Sequence, residues 1–93
     1  MKREKLTDAE LRDAVGSLDG WSVSDGMLRR SIEAPSFLEA IELVGRVAAI
    51  AEEMDHHPDI DIRWRTVNLA LSTHDRDGIT DVDIEQARRI NTL

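Results

Sequence analysis

The sequence predicts an α+β domain in which three helices pack on one face of a four-stranded antiparallel sheet. The chain contains three helix-start signals, and between them lie four short segments in which apolar residues recur at every second position. The resulting order is α-β-β-α-β-β-α, and strands joined by short turns are typical of antiparallel pairing. The 93 residues have the length of one domain, and no linker or repeat divides them. We therefore expect residues 1–93 to form a single domain.

Each predicted helix begins at a hydroxyl residue that is followed three positions later by an acidic residue. In this capping-box pattern, side chains and backbone N–H groups at the helix start bond reciprocally. The three boxes are Thr7–Glu10, Ser36–Glu39 and Thr80–Asp83. Apolar periodicity after the boxes predicts helices over 8–18, 37–55 and 81–92.

The middle helix carries two apolar stripes, which together cover about half of its circumference. The first stripe is Phe37, Ile41, Val44, Ala48 and Ala51, and the second is Ala40, Leu43, Val47, Ile50 and Met54. Two interpretations are open: a thoroughly buried core helix, or a helix that shares one stripe with another subunit. The second interpretation predicts a homo-oligomer, either a homodimer or a homotetramer.

Two hairpins are predicted from the alternating segments. The first joins 21–23 to 27–32 through the turn-forming residues Ser24-Asp25-Gly26. The second joins Ile60, Ile62 and Trp64 to Val67, Leu69 and Leu71 through a tight turn at Arg65-Thr66. This register pairs Trp64 with Val67, and its continuation places His57 opposite His74, with Cβ atoms about 4.5–5.5 Å apart.

Composition excludes several classes of function. The chain has 12 Lys and Arg against 19 Asp and Glu, a net charge of −7, which argues against binding to nucleic acid phosphates. Because cysteine is absent, disulfides, thiolate metal sites and cysteine nucleophiles are excluded. The longest apolar run, around Val47 to Ala51, is far too short to span a membrane, and the start of the chain has no apolar signal region. These features predict a cytoplasmic protein.

All three histidines, His56, His57 and His74, lie in the second half of the chain, with Asp55 and Glu52 just before them. Imidazole titrates near pH 6.5, so a histidine cluster suits general acid–base chemistry. Two alternatives are ordinary surface or hydrogen-bonded histidines, and a metal site such as that of a metal-dependent hydrolase. The metal site is disfavoured because adjacent residues of an extended chain point to opposite faces, so His56 and His57 would not easily ligate one ion.

The segment Glu52-Glu53-Met54-Asp55-His56-His57-Pro58 resembles the E-x-x-x-H-H-P hallmark of the pterin-4a-carbinolamine dehydratase family. The likeness extends over about residues 5–92, nearly the whole chain. Further matching segments are Gly20-Trp21, the Phe37 helix, Trp64, Leu71-Ser72-Thr73-His74 and Gly78-Ile79-Thr80-Asp81-Val82-Asp83. The family's α-β-β-α-β-β-α order agrees with the order predicted from caps and periodicity.

The resemblance implies a 4a-hydroxytetrahydrobiopterin dehydratase, a hydro-lyase that converts 4a-hydroxytetrahydropterin to quinonoid dihydropterin and water in tetrahydropterin recycling. The substrate is left by pterin-dependent aromatic amino-acid hydroxylases, and the reaction needs no metal or redox cofactor. His56, His57 and His74 match the family's catalytic histidines. By this resemblance, His56 and His74 protonate the departing hydroxyl, from opposite faces of the pterin, while His57 binds or orients the ring.

Five further residues are expected to bind substrate or support the histidines: Glu52, Asp55, Asp83, Trp21 and Trp64. Each of these residues except Asp55 also has a structural interpretation. Glu52 is alternatively a surface carboxylate, Asp83 is alternatively a capping partner, and each tryptophan is alternatively a core residue. Many family members carry an aromatic residue just after His-His-Pro, where this chain has Asp59-Ile60. A non-catalytic binding protein or dimerisation cofactor of the same fold is the main alternative to the enzyme.

Overall fold

A computed structural model describes all residues, 1–93, and confirms the α+β fold with helices on one face of an antiparallel sheet. The helices are α1 (Asp8–Gly16), α2 (Phe37–Met54) and α3 (Asp81–Ile90), and the strands are β1 (Ser22–Ser24), β2 (Met27–Glu33), β3 (Asp59–Arg63) and β4 (Thr66–Leu71). A single 3₁₀ turn, His74–Arg76, lies between β4 and α3. The strand order is β1-β2-β4-β3, so β1 and β3 are the edges. None of the three helices combines the length and the apolar composition that a membrane-spanning helix needs.

The three helices begin where the capping chemistry predicts and end one or two residues earlier than predicted. The reciprocal bonds of the capping box are complete at Thr7 and at Thr80. At Ser36 only half of the box forms: the hydroxyl accepts from the Glu39 backbone N–H, at 3.2 Å. The Glu39 carboxylate bonds to that same hydroxyl, at 3.0 Å, rather than to the Ser36 backbone N–H.

The first hairpin has the predicted turn, narrowed to two residues. Asp25 and Gly26 have φ angles of 54° and 73°, and Ser24 pairs with Met27 across them. Positive φ at both positions is the geometry that matches the twist of two antiparallel strands, and Asp-Gly is a favoured sequence for it. Trp21 lies just outside β1 and is buried in the core.

The predicted register of the second hairpin is wrong. Trp64 and Arg65 form the turn, so Arg63 pairs with Thr66 and Ile62 pairs with Val67. Each β3 residue therefore pairs two positions earlier along β4 than predicted, which leaves every side chain on its predicted face. The error originates at Trp64, because a bulky aromatic residue is typical of strands. Here Trp64 instead adopts a φ of 54°, the left-handed conformation that a tight turn needs.

The core lies between the inner face of the sheet and the helices α2 and α3. Its fully or almost fully buried side chains are Leu28, Val67, Leu69 and Leu71 from the sheet, Ala40 and Val47 from α2, and Ala87 and Ile90 from α3. Burial of each large aliphatic side chain contributes about 1.5–3 kcal/mol to folding. The opposite face of the sheet is open to solvent and carries polar side chains such as Ser31, Asn68 and Asp61, which are joined by hydrogen bonds.

The two apolar stripes of α2 differ in burial. The second stripe faces the core, with Ala40 and Val47 fully buried. The first stripe is uncovered at its start, since Phe37 is 50% exposed and Ile41 is 43% exposed, whereas Ala51 at its end is buried. One side of α2 therefore presents large apolar side chains to solvent.

Candidate functional site

The three histidines lie at one end of the β3–β4 hairpin. His56 and His57 connect α2 to the start of β3, and His74 follows the end of β4. Because Asp59 pairs with Ala70, these two stretches of chain enter the same end of the sheet side by side. His74 lies in the 3₁₀ turn rather than in a strand, and continuing the observed register places His57 near Ser72. The predicted strand pairing of His57 with His74 is therefore absent, although the hairpin still brings both to one end of the molecule.

The backbone conformation at the end of α2 places His56 in the protein interior and His57 at the surface. Asp55 adopts the left-handed conformation, with φ 49° and ψ 46°, and the backbone N–H of His56 donates to the Ala51 carbonyl at 3.0 Å. This is the chain reversal with which many helices end. After it, His56 is only 7% exposed, whereas His57 lies in solvent. Asp55 thus contributes its backbone conformation, and its side chain is exposed and forms no hydrogen bond to a histidine.

His56 is paired with the fully buried carboxylate of Asp83. The distance between His56 Nε2 and Asp83 Oδ1 is 2.6 Å. The other oxygen, Asp83 Oδ2, accepts from the Thr73 hydroxyl at 2.8 Å and from the Thr80 backbone N–H at 2.9 Å. Asp83 therefore is the capping partner of α3, as one of the two interpretations of the sequence had it, and it also bonds a histidine. That it supports an active site stays a prediction.

The hydrogen bonds of Asp83 define how His56 can exchange a proton. The backbone N–H of Thr80 and the Thr73 hydroxyl both donate to Oδ2, which matches an ionised carboxylate. An ionised carboxylate can only accept, so His56 Nε2–H donates to Oδ1. His56 Nδ1 forms no hydrogen bond, and it is not among the buried side-chain atoms that lack a partner, so it keeps contact with solvent. Nδ1 is consequently the nitrogen through which His56 can give or take a proton.

Thr73 is a site residue that the sequence reasoning did not single out. It is fully buried, and its hydroxyl lies 2.7 Å from the Thr80 hydroxyl as well as bonding Asp83. Its neighbour along the chain is His74, so Thr73 connects the carboxylate behind His56 to the segment that carries His74. A signal was present: continuing the alternation of Leu69 and Leu71 by two residues places Thr73 on the inner face of the sheet.

His57 is paired with Glu52 on the surface. The distance between His57 Nε2 and Glu52 Oε2 is 2.5 Å, and the two side chains are 59% and 76% exposed. Glu52 thus bonds a histidine and is a surface carboxylate. Its support of the site stays a prediction.

His74 borders a cavity of about 190 Å³ that lies between the β1–β2 turn and the segment leading to α3. The lining is mostly polar and consists of Asp25, Gly26, Met27, Ser72, Thr73, His74, Asp77 and Gly78. The His74 side chain is exposed and forms no hydrogen bond within the chain. It is therefore free to bond to a molecule in this cavity.

The segment that carries His74 is held in place by the N-terminal residues. The backbone N–H groups of Lys2 and Arg3 both donate to the Asp81 carboxylate, at 3.1 Å, and Leu6 N–H donates to the Ile79 carbonyl at 2.9 Å. The Arg3 guanidinium also bonds Asp75, beside His74, and this hydrogen bond lowers the pKa of the Asp75 carboxyl below its ordinary value. These contacts fix the position of the 3₁₀ turn relative to α3.

Neither tryptophan lies beside the histidines of the same chain. Trp21 is 5% exposed, and its Nε1–H donates to Asn91 Oδ1 at 2.8 Å. Asn91 is at the far end of α3, about 12 Å from Asp83 at the usual helical rise. Trp64 is 73% exposed at the hairpin tip, roughly 23 Å of extended chain from His57. Its ring stacks on the Arg65 guanidinium, 4.8 Å from the ring centroid.

The histidines are not arranged as a set of metal ligands. No group of three or more His, Cys, Asp or Glu side chains is placed so that it could hold a metal ion. The site can instead hold a small polar molecule against histidines of different character: one buried and fixed by a carboxylate, one paired at the surface and one without a partner.

Comparison with known proteins supports the resemblance noted in the sequence. Residues 4–93 match the model of the family described as pterin 4 alpha carbinolamine dehydratase. A protein of Mycobacterium avium (strain 104), provisionally named pterin-4-alpha-carbinolamine dehydratase, is 59% identical over 88 residues, which cover 95% of this chain and 94% of that protein. A protein of Mycolicibacterium vanbaalenii with the same provisional name is 55% identical over 88 residues, which cover 95% of both chains.

Two solved structures are similar to this fold. One, a transcriptional coactivator/pterin dehydratase from Brucella melitensis, has a TM-score of 0.92 and 34% identity over 96% of this chain and 97% of that chain. The other, a pterin dehydratase-like protein identified as a RuBisCO assembly factor in the alpha-carboxysome, has a TM-score of 0.63 and 20% identity over 77% and 83% of the two chains. The second likeness concerns the fold alone. From the family match and the close relatives, the chain belongs to the pterin 4 alpha carbinolamine dehydratase family.

Proposed function

We propose that the protein is a 4a-hydroxytetrahydrobiopterin dehydratase, which removes water from 4a-hydroxytetrahydropterin to give quinonoid dihydropterin. The observation that carries this proposal is the buried His56–Asp83 pair, 2.6 Å apart, at the end of the sheet that also holds His57 and His74. A histidine held by a carboxylate through one ring nitrogen, with the other nitrogen open to solvent, is suited to proton transfer. Family membership supports the same reaction.

The reaction breaks the C4a–O bond and forms a C4a=N5 double bond. The departing hydroxyl takes a proton and leaves as water, and the N5–H proton goes to a base, so the net proton count does not change. We assign protonation of the hydroxyl to one imidazolium group, His56 through Nδ1 or His74, according to the face of the pterin on which the hydroxyl lies. The imidazole that has given its proton is then the base that takes the N5–H proton. An imidazole is suited to both giving and taking these protons because its ordinary pKa, about 6.5, lies close to neutrality.

The remaining residues support binding in this proposal. His57, paired with Glu52 at the surface, orients the pterin ring. The cavity beside His74 receives part of the substrate, and its polar lining matches a ring system rich in hydrogen-bond donors and acceptors. A pterin-dependent aromatic amino-acid hydroxylase would supply the substrate, and we propose that both reactions occur in the cytoplasm, as part of tetrahydropterin recycling.

Stopped-flow measurement of the decay of freshly generated 4a-hydroxytetrahydropterin tests the proposal. Wild type should accelerate the decay, and His56→Ala and His74→Ala should each reduce that acceleration by roughly 10²–10⁴-fold, the usual contribution of a general acid. Arg63→Ala, at the opposite end of β3, is the control and should retain the full rate. If correctly folded wild type does not accelerate the decay, the proposal is wrong.

A non-catalytic binding or dimerisation role is the second candidate, and the uncovered stripe of α2 favours it. Phe37 and Ile41 are half exposed, and large apolar side chains grouped on a surface commonly mark an interaction site. This role predicts that the double variant His56→Ala/His74→Ala keeps its assembly and its biological effect.

The same stripe leads us to propose a homodimer or homotetramer. Ile41→Asp should then convert the oligomer to a monomer of 10.5 kDa in sedimentation at micromolar concentration. Ser31→Asp, on the open face of the sheet, is the control. A wild-type protein that sediments as a monomer would contradict the oligomer.

A further inference from the structure

A buried amide on α3 contacts the main chain of His56. Gln86 is fully buried, and its Nε2 donates to the backbone carbonyl oxygen of His56 at 2.6 Å. It lies three residues after Asp83, so both side chains project from the same face of α3. This helix therefore holds His56 at two points: Asp83 bonds the ring, and Gln86 bonds the peptide group.

The other end of the Gln86 amide has no partner. Gln86 Oε1 is the only buried side-chain nitrogen or oxygen atom in the chain without a hydrogen bond. Turning the amide over would place Oε1 against the His56 carbonyl oxygen, where two acceptors would meet, so the bond to His56 determines the orientation. A buried acceptor without a partner costs free energy. An apolar side chain at this position would avoid that cost.

The chain around His56 explains why a second anchor matters. His56 follows the left-handed residue Asp55 and precedes His57-Pro58, so its carbonyl group lies outside both α2 and β3. If the bond from Nε2 to Asp83 alone held this residue, a shift of its peptide group would loosen that bond and move Nδ1. The Gln86 bond removes that freedom.

We propose that Gln86 is a positioning residue for His56, holding its backbone so that Nε2–H stays on Asp83 and Nδ1 stays at the opening of the site. The effect of Gln86 on rate rests on the proposed dehydratase function. The effect of Gln86 on the His56 ring does not rest on that function, because the tautomer of the ring can be observed without substrate.

The test compares wild type with Gln86→Met, which keeps a similar length and volume but removes both polar atoms. Nitrogen-15 NMR of the neutral histidine rings should show wild-type His56 in one tautomer, with the proton on Nε2. In Gln86→Met the His56 signals should broaden or show a mixture of tautomers. In the dehydratase assay, kcat should fall roughly 10-fold with KM within about twofold, since a displaced Nδ1 acts on the reacting proton rather than on binding.

Asn91→Ala is the matched control. Asn91 is also a polar residue, at the C-terminal end of α3, but its side chain bonds Trp21 and Arg30 rather than the histidines. It should lower stability while leaving the His56 tautomer and kcat as in wild type. A loss of kcat in Asn91→Ala as large as that in Gln86→Met would attribute the effect to general destabilisation and overturn the proposal.

The remaining outcomes also separate the two proposals. If folded Gln86→Met keeps the wild-type tautomer, the positioning role is wrong, whether or not the protein is a dehydratase. If wild type lacks dehydratase activity but the tautomer changes in Gln86→Met, the positioning role stands and the proposed function fails. Gln86→Leu is the second variant, and if neither variant folds, Gln86 is a residue of the fold itself and the proposal is overturned.

Discussion

Two consecutive histidines each bond a carboxylate at nearly the same distance, yet their surroundings differ. His56 and Asp83 are 2.6 Å apart with side chains 8% and 0% exposed, and His57 and Glu52 are 2.5 Å apart with side chains 59% and 76% exposed. Water screens the exposed pair and can replace either partner, whereas nothing replaces a partner lost from the buried pair. The comparison predicts that burial, rather than distance, decides what such a bond contributes to stability.

Removing the buried carboxylate should have the largest effect. Asp83→Ala leaves the His56 ring and the Thr73 hydroxyl without their acceptor, so we expect the free energy of unfolding to fall by about 3–5 kcal/mol. Asp83→Asn keeps the shape of the side chain and should lower the dehydratase rate by at least roughly 10²-fold, because the amide does not stabilise a charged imidazole. Urea unfolding and stopped-flow assays measure the two effects.

Asp81→Asn is the control for Asp83→Asn. Asp81 is also acidic and lies in the same first turn of α3, but it bonds the backbone of Lys2 and Arg3. It should change the rate much less. Equal losses of rate in the two variants would show that any change at the start of α3 lowers the rate. The specific role of the buried His56–Asp83 pair would then be contradicted.

Removing one donor to the buried carboxylate should have an intermediate effect. Thr73→Val keeps the volume of the side chain but removes the hydroxyl that bonds Asp83 and lies next to Thr80. A hydrogen bond to a charged group contributes about 1.5–3 kcal/mol, so the free energy of unfolding should fall by that amount. The same substitution at an exposed position, Thr92→Val, should change the free energy of unfolding by less than about 0.5 kcal/mol.

Breaking the exposed pair should have a small effect. Glu52→Gln removes the charge beside His57, and the free energy of unfolding should change by about 0–1 kcal/mol. Any change in the free energy of unfolding should become smaller as salt is added, because dissolved ions screen the attraction between exposed charges. A loss comparable to that of Asp83→Ala would mean that distance rather than exposure determines the strength of these pairs.

The smallest effect concerns another carboxylate near the surface, Glu85. Hydrogen bonds from Arg89 and then from Arg88 lower the pKa of its side chain. The folded-state pKa is thus below the unfolded value of about 4.3. Its contribution to stability is fully present above that value and is lost as the pH falls through the folded-state pKa. Glu85→Gln should therefore flatten the loss of stability between neutral and acidic pH, as measured by urea unfolding across that range, and an unchanged pH dependence would contradict the lowered pKa.

Local chemistry explains which features could be predicted from the sequence. The helix starts at Thr7, Ser36 and Thr80 depend on residues three positions apart, and the Asp25-Gly26 turn depends on two neighbours, so they were predicted correctly. The second hairpin was not, because the turn places Trp64 in a backbone conformation that its residue type rarely adopts.

The contacts of the site depend on the tertiary fold and were harder to predict. The sequence left open whether Asp83 was a cap or a support, and only the tertiary contact between α3 and His56 shows that one of its oxygens caps the helix while the other bonds the histidine. Gln86 contacts a residue thirty positions away. Its only signal was a polar side chain on the apolar face of a helix, one turn after another polar side chain.

The contrast between the two tryptophans makes the protein its own optical probe. Trp21 lies in the core, so its fluorescence should be blue-shifted and should follow unfolding. Trp64 stands in water at the hairpin tip, so its emission should be red-shifted and open to quenching by iodide. A single-tryptophan variant that retains Trp64 would then report any molecule that covers the tip, while one that retains Trp21 would report folding alone, with no external dye attached.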